Sequence, residues 1–99
     1  MNTKQIKFKN WICTAYIAEY STSDGRTAIQ LNDAEDGMPI ATATVNLPDL
    51  SLEPDHVFIK GWSENEGMAD ALIEAGIIGP EVRKVPTGFV SATVHKLLI

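Results

Sequence analysis

Two Asp-Gly pairs, Asp24-Gly25 and Asp36-Gly37, divide the first half of the chain into runs of strand length. Asp-Gly between two strand-like runs is a strong hairpin signal, because a tight hairpin turn needs positive φ angles that Gly takes freely and Asp tolerates. Ahead of the first pair, residues 5–20 are rich in Ile, Phe, Trp, Thr and Tyr, with Lys7, Lys9 and Asn10 interleaved. That composition predicts one bent strand or two short ones. "RTAIQLN" follows the first pair as a returning strand, and "IATATVNL" follows the second. The latter alternates Ala, Val and Leu with Thr and Asn, as a half-buried strand does. Together these runs read as an antiparallel meander.

The second half is punctuated differently. Pro48 and Pro54 make "PDLSLEPD" a loop, since proline removes a ladder donor and restricts the residue before it. "HVFIKGW" then reads as a short strand, "GPEVRKVPTG" as a loop and "FVSATVHKLLI" as a last strand. Helical spacing occurs once, over residues 64–75, where Met68, Ala69, Ala71, Leu72, Ile73 and Ala75 supply an apolar face. Ser63 and Glu66 have the spacing of a capping box at its start. Gly76 supplies the left-handed residue that ends it, and Ile77 is placed to fold back on Leu72. The expected architecture is α+β in a single domain, residues 1–99. It has an antiparallel sheet of about five or six strands with the one helix, near residues 64–75, packed on one face.

Charge is segregated along the chain. The net charge is −5, but residues 33–74 hold ten of the thirteen acids and one base, Lys60. A phosphate backbone is bound by neutralising it with Lys and Arg, so this balance argues against direct nucleic-acid binding. A basic protein would be drawn to the acidic segment by long-range steering. Cys13 is the only cysteine, so no internal disulfide forms and a reducing cytoplasm is the expected setting. Lys4, Lys7 and Lys9 ahead of "WICTAYIA" imitate a secretory leader. Thr14 and Tyr16 interrupt that short run, however, and no apolar stretch of about 18 residues occurs that would place the chain in a membrane.

The chemistry-bearing residues are sparse. "NDAEDG" resembles the start of a calcium loop, yet with Gly37 at its sixth position the third ligand is Ala34 and the twelfth is Ala43, so no metal site is expected there. Cys13, His56 and His95 share no zinc-ligand spacing. No serine has a nucleophile-elbow context, and no glycine-rich loop cradles a phosphate, so no cofactor is implied. The remaining acid/base candidates are Glu64, Glu66 and Asp70. They lie within two turns of the expected helix, with His56 at the start of the preceding strand. Helix initiation accounts for Ser63, Glu64 and Glu66 equally well, the two acids favouring the positive end of the helix dipole. Trp62 precedes the cap without a staple partner, because the position it would meet is Gly67. It is therefore either core or an exposed interface anchor.

The segments "TAIQLNDAEDGMPIATATVNLPD", "VFIKGWSENEGM", "ALIEAGII" and "VPTGFV" carry a resemblance across residues 12–98. The chain resembles a family of small uncharacterised domains, a domain-of-unknown-function group encoded on mobile elements and phage-like regions of gut bacteria. The resemblance implies a bacterial, intracellular accessory protein and brings no catalytic residue.

The expected function is a non-enzymatic protein-binding module that engages a basic protein through its acidic segment. Trp62, Glu64, Glu66, Asp36 and Glu35 are the expected contact residues. The alternative is a small enzyme with an acid/base site near Glu64, Glu66, Asp70 and His56. A homo-oligomer is a third expectation, formed by an unpaired edge strand at residues 5–10 or 89–98.

Overall fold

The computed structural model describes residues 2–20 and 25–99. β1 (Asn2–Phe8), β2 (Trp11–Glu19), β3 (Thr27–Asp33) and β4 (Pro39–Thr42) form an antiparallel sheet in the order β1-β2-β3-β4. β5 (His56–Ile59), β6 (Ile78–Pro86) and β7 (Ser91–Leu97) form a second antiparallel sheet in the order β5-β7-β6. A 3-10 turn at Ser63–Asn65 and a helix α1 (Met68–Glu74) lie between β5 and β6 in the chain. The α+β class is as expected. The single meander of five or six strands is not: the strands divide into a sheet of four and a sheet of three.

The division is made at residues 43–45, where the chain leaves β3 for β5. Ala43 still donates its N–H to the Ile29 carbonyl at 2.8 Å, but its own carbonyl accepts from the Lys60 N–H at 2.8 Å, and Val45 donates to the Phe58 carbonyl at 3.1 Å. The Ile29 N–H, left without a strand carbonyl, donates instead to the Thr44 hydroxyl oxygen at 3.2 Å. Thr44 also shares a 2.7 Å hydrogen bond with the Tyr20 hydroxyl and is buried. One side chain thus replaces the ladder bond that β4 stops supplying, which is why "IATATVNL" contributes only three residues, Ile40 to Thr42, to the strand.

Residues 5–20 resolve into two strands joined by a two-residue turn at Lys9 and Asn10, with Phe8 opposite Trp11 and Lys9 at φ 55°. The hairpin between β2 and β3 is present in the pairing of Glu19 with Thr27. The Asp24 position of its expected turn lies outside the described residues. "GPEVRKVPTG", expected as a loop, is mostly strand β6. An outer strand tolerates proline where no donor is needed, and here Pro80 sits in a register shift and Pro86 is the last residue. β7 is consequently the middle strand of its sheet and offers no edge. The outer strands are β1 and β4 of the first sheet and β5 and β6 of the second. Exposed Lys4 and Lys7 on β1, and the prolines and Lys84 on β6, are features that discourage edge pairing.

The main core lies between the sheets. Ile6 and Phe8, Cys13 and Ala15, and Ile29 and Leu31 alternate inward from β1, β2 and β3, meeting Val57 and Ile59 of β5 and Met68 and Leu72 of α1. Phe58 points the other way and heads a smaller cluster with Ala92 and Val94, covered by Val45, Leu47, Leu52, Trp62 and Val85. Two arginines fasten the covering loop. Arg26 donates to the carbonyls of Leu47 and Leu50 at 2.7 and 2.6 Å with its guanidinium 5.8 Å from the Phe58 ring centre, and Arg83 donates to Glu53 at 2.9 Å and to the Ser51 carbonyl at 3.0 Å. His95 is buried on β7 with both ring nitrogens engaged. Nδ1 is 2.9 Å from the Gly79 carbonyl oxygen, which requires a proton on that nitrogen, and Nε2 is 2.8 Å from the Thr93 hydroxyl.

Replacing Thr44 with Val keeps the shape but strands the Ile29 N–H. It should lower stability by about 1–3 kcal/mol in urea denaturation, whereas Thr44→Ser should stay near wild type. Equal midpoints for Thr44→Val and wild type would remove the hydroxyl from its place at the seam.

Candidate functional site

In "GWSENEGM" the chain makes a single 3-10 turn before the helix. The Asn65 N–H reaches the Trp62 carbonyl at 3.0 Å and the Glu66 N–H reaches the Ser63 carbonyl at 3.1 Å. Neither the turn nor α1 has a side-chain cap, and the residue preceding α1 is Gly67 at φ 85°. The capping box expected from Ser63 and Glu66 is therefore not made. Ser63 itself is at φ 55° and Gly67 reverses the chain again, so the helix spans Met68–Glu74 and not residues 64–75. Asn65 accounts for this geometry. Its side chain is buried and donates from Nδ2 to the Thr42 carbonyl at 2.7 Å and to the Lys60 carbonyl at 3.0 Å. The end of α1 follows the sequence expectation closely. Gly76 at φ 76° donates to the Ile73 carbonyl and Ile77 to the Leu72 carbonyl, both at 3.0 Å.

With Asn65 turned inward, its acidic neighbours face solvent. Glu64 is exposed and 3.7 Å from Lys60. Its carboxyl is held below the ordinary range by its own backbone N–H, with the Lys60 ammonium adding to the effect. It is ionised at neutral pH and suits an acceptor of charge better than a donor of protons. Glu66 and Asp70 are exposed and make no ion pair among the described residues. The His56 Nδ1 is tied to the Pro54 carbonyl of its own turn at 2.8 Å. No hydrogen bond joins any two of Glu64, Glu66, Asp70 and His56 among the described residues. Nor do any three His, Cys, Asp or Glu gather there as a metal site.

Trp62 is half-buried against the Phe58 cluster, with the Lys60 ammonium 6.0 Å from its ring centre. The exposed tryptophan is Trp11, at the start of β2. Trp11, Ile12 and Met38 are 43%, 52% and 61% exposed, and all three stand at the same end of the four-stranded sheet. The loop joining β3 to β4 meets the β1–β2 turn there. The Ala34 N–H donates to the Ile12 carbonyl at 3.0 Å, and a cleft forms between Asn10, Trp11 and Ile12 on one side and Asp33, Ala34 and Glu35 on the other. The loop is ordered by its own acids. Asp33 accepts from the Glu35 N–H at 2.7 Å, Asp36 accepts from the Met38 N–H at 2.9 Å, and Gly37 takes φ 78°. On the far side of the same turn, the Lys9 ammonium donates to the Glu64 carbonyl at 2.8 Å.

The structure thus sets Glu35 and Asp36 on one flank of the β1–β2 turn and Glu64, followed by Glu66, on the other, although nearly thirty residues separate the two pairs. Trp62 does not join them. Trp11 and Ile12 escape the sequence analysis because strand composition marks them as core, and Met38 because it falls in a segment read only as a turn. Their one distinguishing signal is position: each lies at a strand end beside a turn, beyond the layer of inward-facing side chains.

Comparison with known protein families, curated proteins and solved structures finds no match to this chain.

Two measurements follow from these side chains. Asn65→Ala takes the side-chain donor from the Thr42 and Lys60 carbonyls and should cost about 2–3 kcal/mol in urea denaturation; an unchanged midpoint would show that the inward turn does not depend on it. The buried Cys13 thiol is pushed up, first by burial and then by Asp33. The fold therefore favours the protonated thiol. That contribution is complete below the unfolded thiol's value of about 8.5 and is lost as pH rises through the higher folded value. Cys13→Ala should be less stable than wild type at neutral pH, and the gap should narrow between about pH 7 and about pH 10; a constant gap would contradict the assignment.

Proposed function

We propose that the chain is a non-enzymatic protein-binding module whose contact surface is the end of the four-stranded sheet. The observation that carries this is the grouping of Trp11, Ile12 and Met38, all substantially exposed, beside the carboxylates of Glu35 and Asp36, which make no ion pair among the described residues. Interfaces concentrate their free energy in a few large anchors, Trp foremost, surrounded by a polar rim. Here the apolar centre and the acidic rim select a partner with a basic surface around an apolar contact. The surplus of acids in residues 33–74 extends the attraction beyond contact distance, with Glu64 and Glu66 on the opposite flank.

The setting that fits this activity is the bacterial cytoplasm, where the single thiol stays reduced. The resemblance to mobile-element domains supports a basic host or plasmid protein as the partner, held by charge that resembles a nucleic acid's.

The test is retention of bacterial lysate proteins on the immobilised chain. Compared with it are Trp11→Ala and a combined Asp33→Asn, Glu35→Gln, Asp36→Asn form. Amides keep the acceptor oxygens that order the loop while removing its charge. A basic protein should be retained by wild type, released on raising salt from about 0.05 to about 0.5 M, and held roughly tenfold less by each variant. Salt-insensitive retention, or equal retention by the variants, would refute the proposal.

A further inference from the structure

β1 is the longest outer strand that pairs without interruption. Its seven residues contain no proline and hold one register against β2, whereas β6 has two prolines and two register shifts, and β4 and β5 have four residues each. The hydrogen-bond pattern fixes which of its backbone groups are open. The Ile12 carbonyl accepts from the Ala34 N–H and so faces β3. Bonded and unbonded pairs alternate along an antiparallel ladder, so Trp11 and Cys13 face β1 and bond Phe8 and Ile6. Gln5 and Lys7 therefore turn their N–H and C=O groups away from β2, toward an edge that no other strand occupies. α1 lies alongside this edge and runs in the opposite direction. Lys9 donates to the Glu64 carbonyl just ahead of the helix, and the Lys4 ammonium lies beside Gly76 at its end. Between strand and helix is an open cleft of about 310 Å³, with Gln5, Lys7 and Lys9 on one side and Ala71, Glu74 and Ala75 on the other.

We propose that this cleft binds an extended acidic peptide, which adds to β1 as a new outer strand of the four-stranded sheet. The open N–H and C=O groups of Gln5 and Lys7 supply main-chain bonds at the two-residue spacing of a strand, as recognition by strand addition requires. Charge selects the occupant. Residues 2–18 carry Lys4, Lys7 and Lys9 and no acid, and none of these lysines makes an ion pair among the described residues. Lys4 and Lys9 stand toward the two ends of α1, and Lys7 lies between them on the strand. These lysines discourage two β1 edges from pairing with each other, because ammonium groups would meet across the new ladder. Carboxylates on the added strand meet them favourably. Side chains alternate along a strand, so the acids of the peptide share the outer face with exposed Lys7, while the residues between them point inward with Ile6 and Phe8, under α1. Ala71 and Ala75 leave room there for a small apolar side chain such as that of Val. Glu74 is the one carboxylate in the cleft, set against the ammonium groups of Lys7 and Lys9, so it reduces the attraction without reversing it.

The probe is a synthetic peptide of about seven residues alternating Glu and Val, with both ends blocked, titrated into the isotope-labelled chain and followed by amide NMR; a Lys–Val peptide is the control. In the free chain the Gln5 and Lys7 amides should exchange with solvent faster than that of Ile6, and they should slow at least about tenfold when the Glu–Val peptide binds. The dissociation constant should be roughly 10 µM to about 1 mM and should rise at least about threefold between about 0.05 and about 0.5 M salt. Lys7→Gln should weaken binding at least about threefold and Glu74→Gln should tighten it about twofold, with urea midpoints confirming that both variants fold. Methylating one alternate set of the peptide's backbone nitrogens should abolish binding, whereas methylating the other set should leave it within about twofold, because only one edge of the added strand faces β1. No binding at about 3 mM peptide, an equal response of β1 to the Lys–Val peptide, or equal effects of the two methylated sets would each overturn the proposal. So would amide shifts centred on Trp11 and Met38 in place of β1 and α1, which would assign the peptide to the other surface.

Discussion

The hydroxyl of Thr44 carries the constraint on which the arrangement of the sheets depends. For the chain to leave β3 and reach β5, it must stop bonding one neighbour before it has fully joined the other. A buried N–H left open at that step costs about 1–3 kcal/mol, a large share of the stability of a domain this small. Thr44 meets the Ile29 N–H, while the backbone on either side of it serves β3 and β5 in turn. Asn65 repeats the device one layer out, bonding the carbonyls of Thr42 and Lys60 on both sides of the seam. Two polar side chains at buried positions thus hold together what a continuous ladder would otherwise have held.

This also explains what was legible in the sequence. Alternation identified β2, β3 and most of β7, because each buries one face and period-two patterning reports that directly. Gly76 and Ile77 identified the helix end because the motif is local and depends on backbone angles alone. The seam was not legible. Thr44 lies in a run of alternating Thr and Ala whose pattern fits an uninterrupted strand, and only the tertiary partner reveals that one of these threonines is used as backbone. β6 was hidden for the opposite reason: its prolines carry a strong local signal for a loop, and an outer strand is the one place in a sheet where that signal does not apply.

The acidic stretch around Ser63 shows the same limit at the candidate site. Ser63 and Glu66 have capping-box spacing, and for an isolated helix that box would be the best available start. Burying the Asn65 amide against two carbonyls requires the chain to turn at Ser63, which puts that residue at positive φ and denies it the N-cap geometry. A tertiary hydrogen-bond pair outweighs a local one. The result moves Glu64 and Glu66 out to solvent and Trp62 in against the Phe58 cluster, so residues adjacent in sequence are parted between surface and core.

Tryptophan placement separates the exposed aromatic from the acidic run that neighbours the other tryptophan in sequence. A Trp beside acids in sequence suggests an anchor within its own rim, but Trp62 contributes to a cleft wall while Trp11, flanked in sequence by Asn10 and Ile12, stands exposed next to Glu35 and Asp36. The rim and the anchor come from different hairpins and meet only because the β1–β2 and β3–β4 turns share one end of the antiparallel sheet. That end lies beyond the inward-facing layer formed by Phe8, Cys13 and Leu31, so apolar side chains there have no opposing sheet to cover them. The acidic loop beside them, with Asp33, Glu35 and Asp36, surrounds these exposed apolar side chains with charge, which disfavours their indiscriminate association.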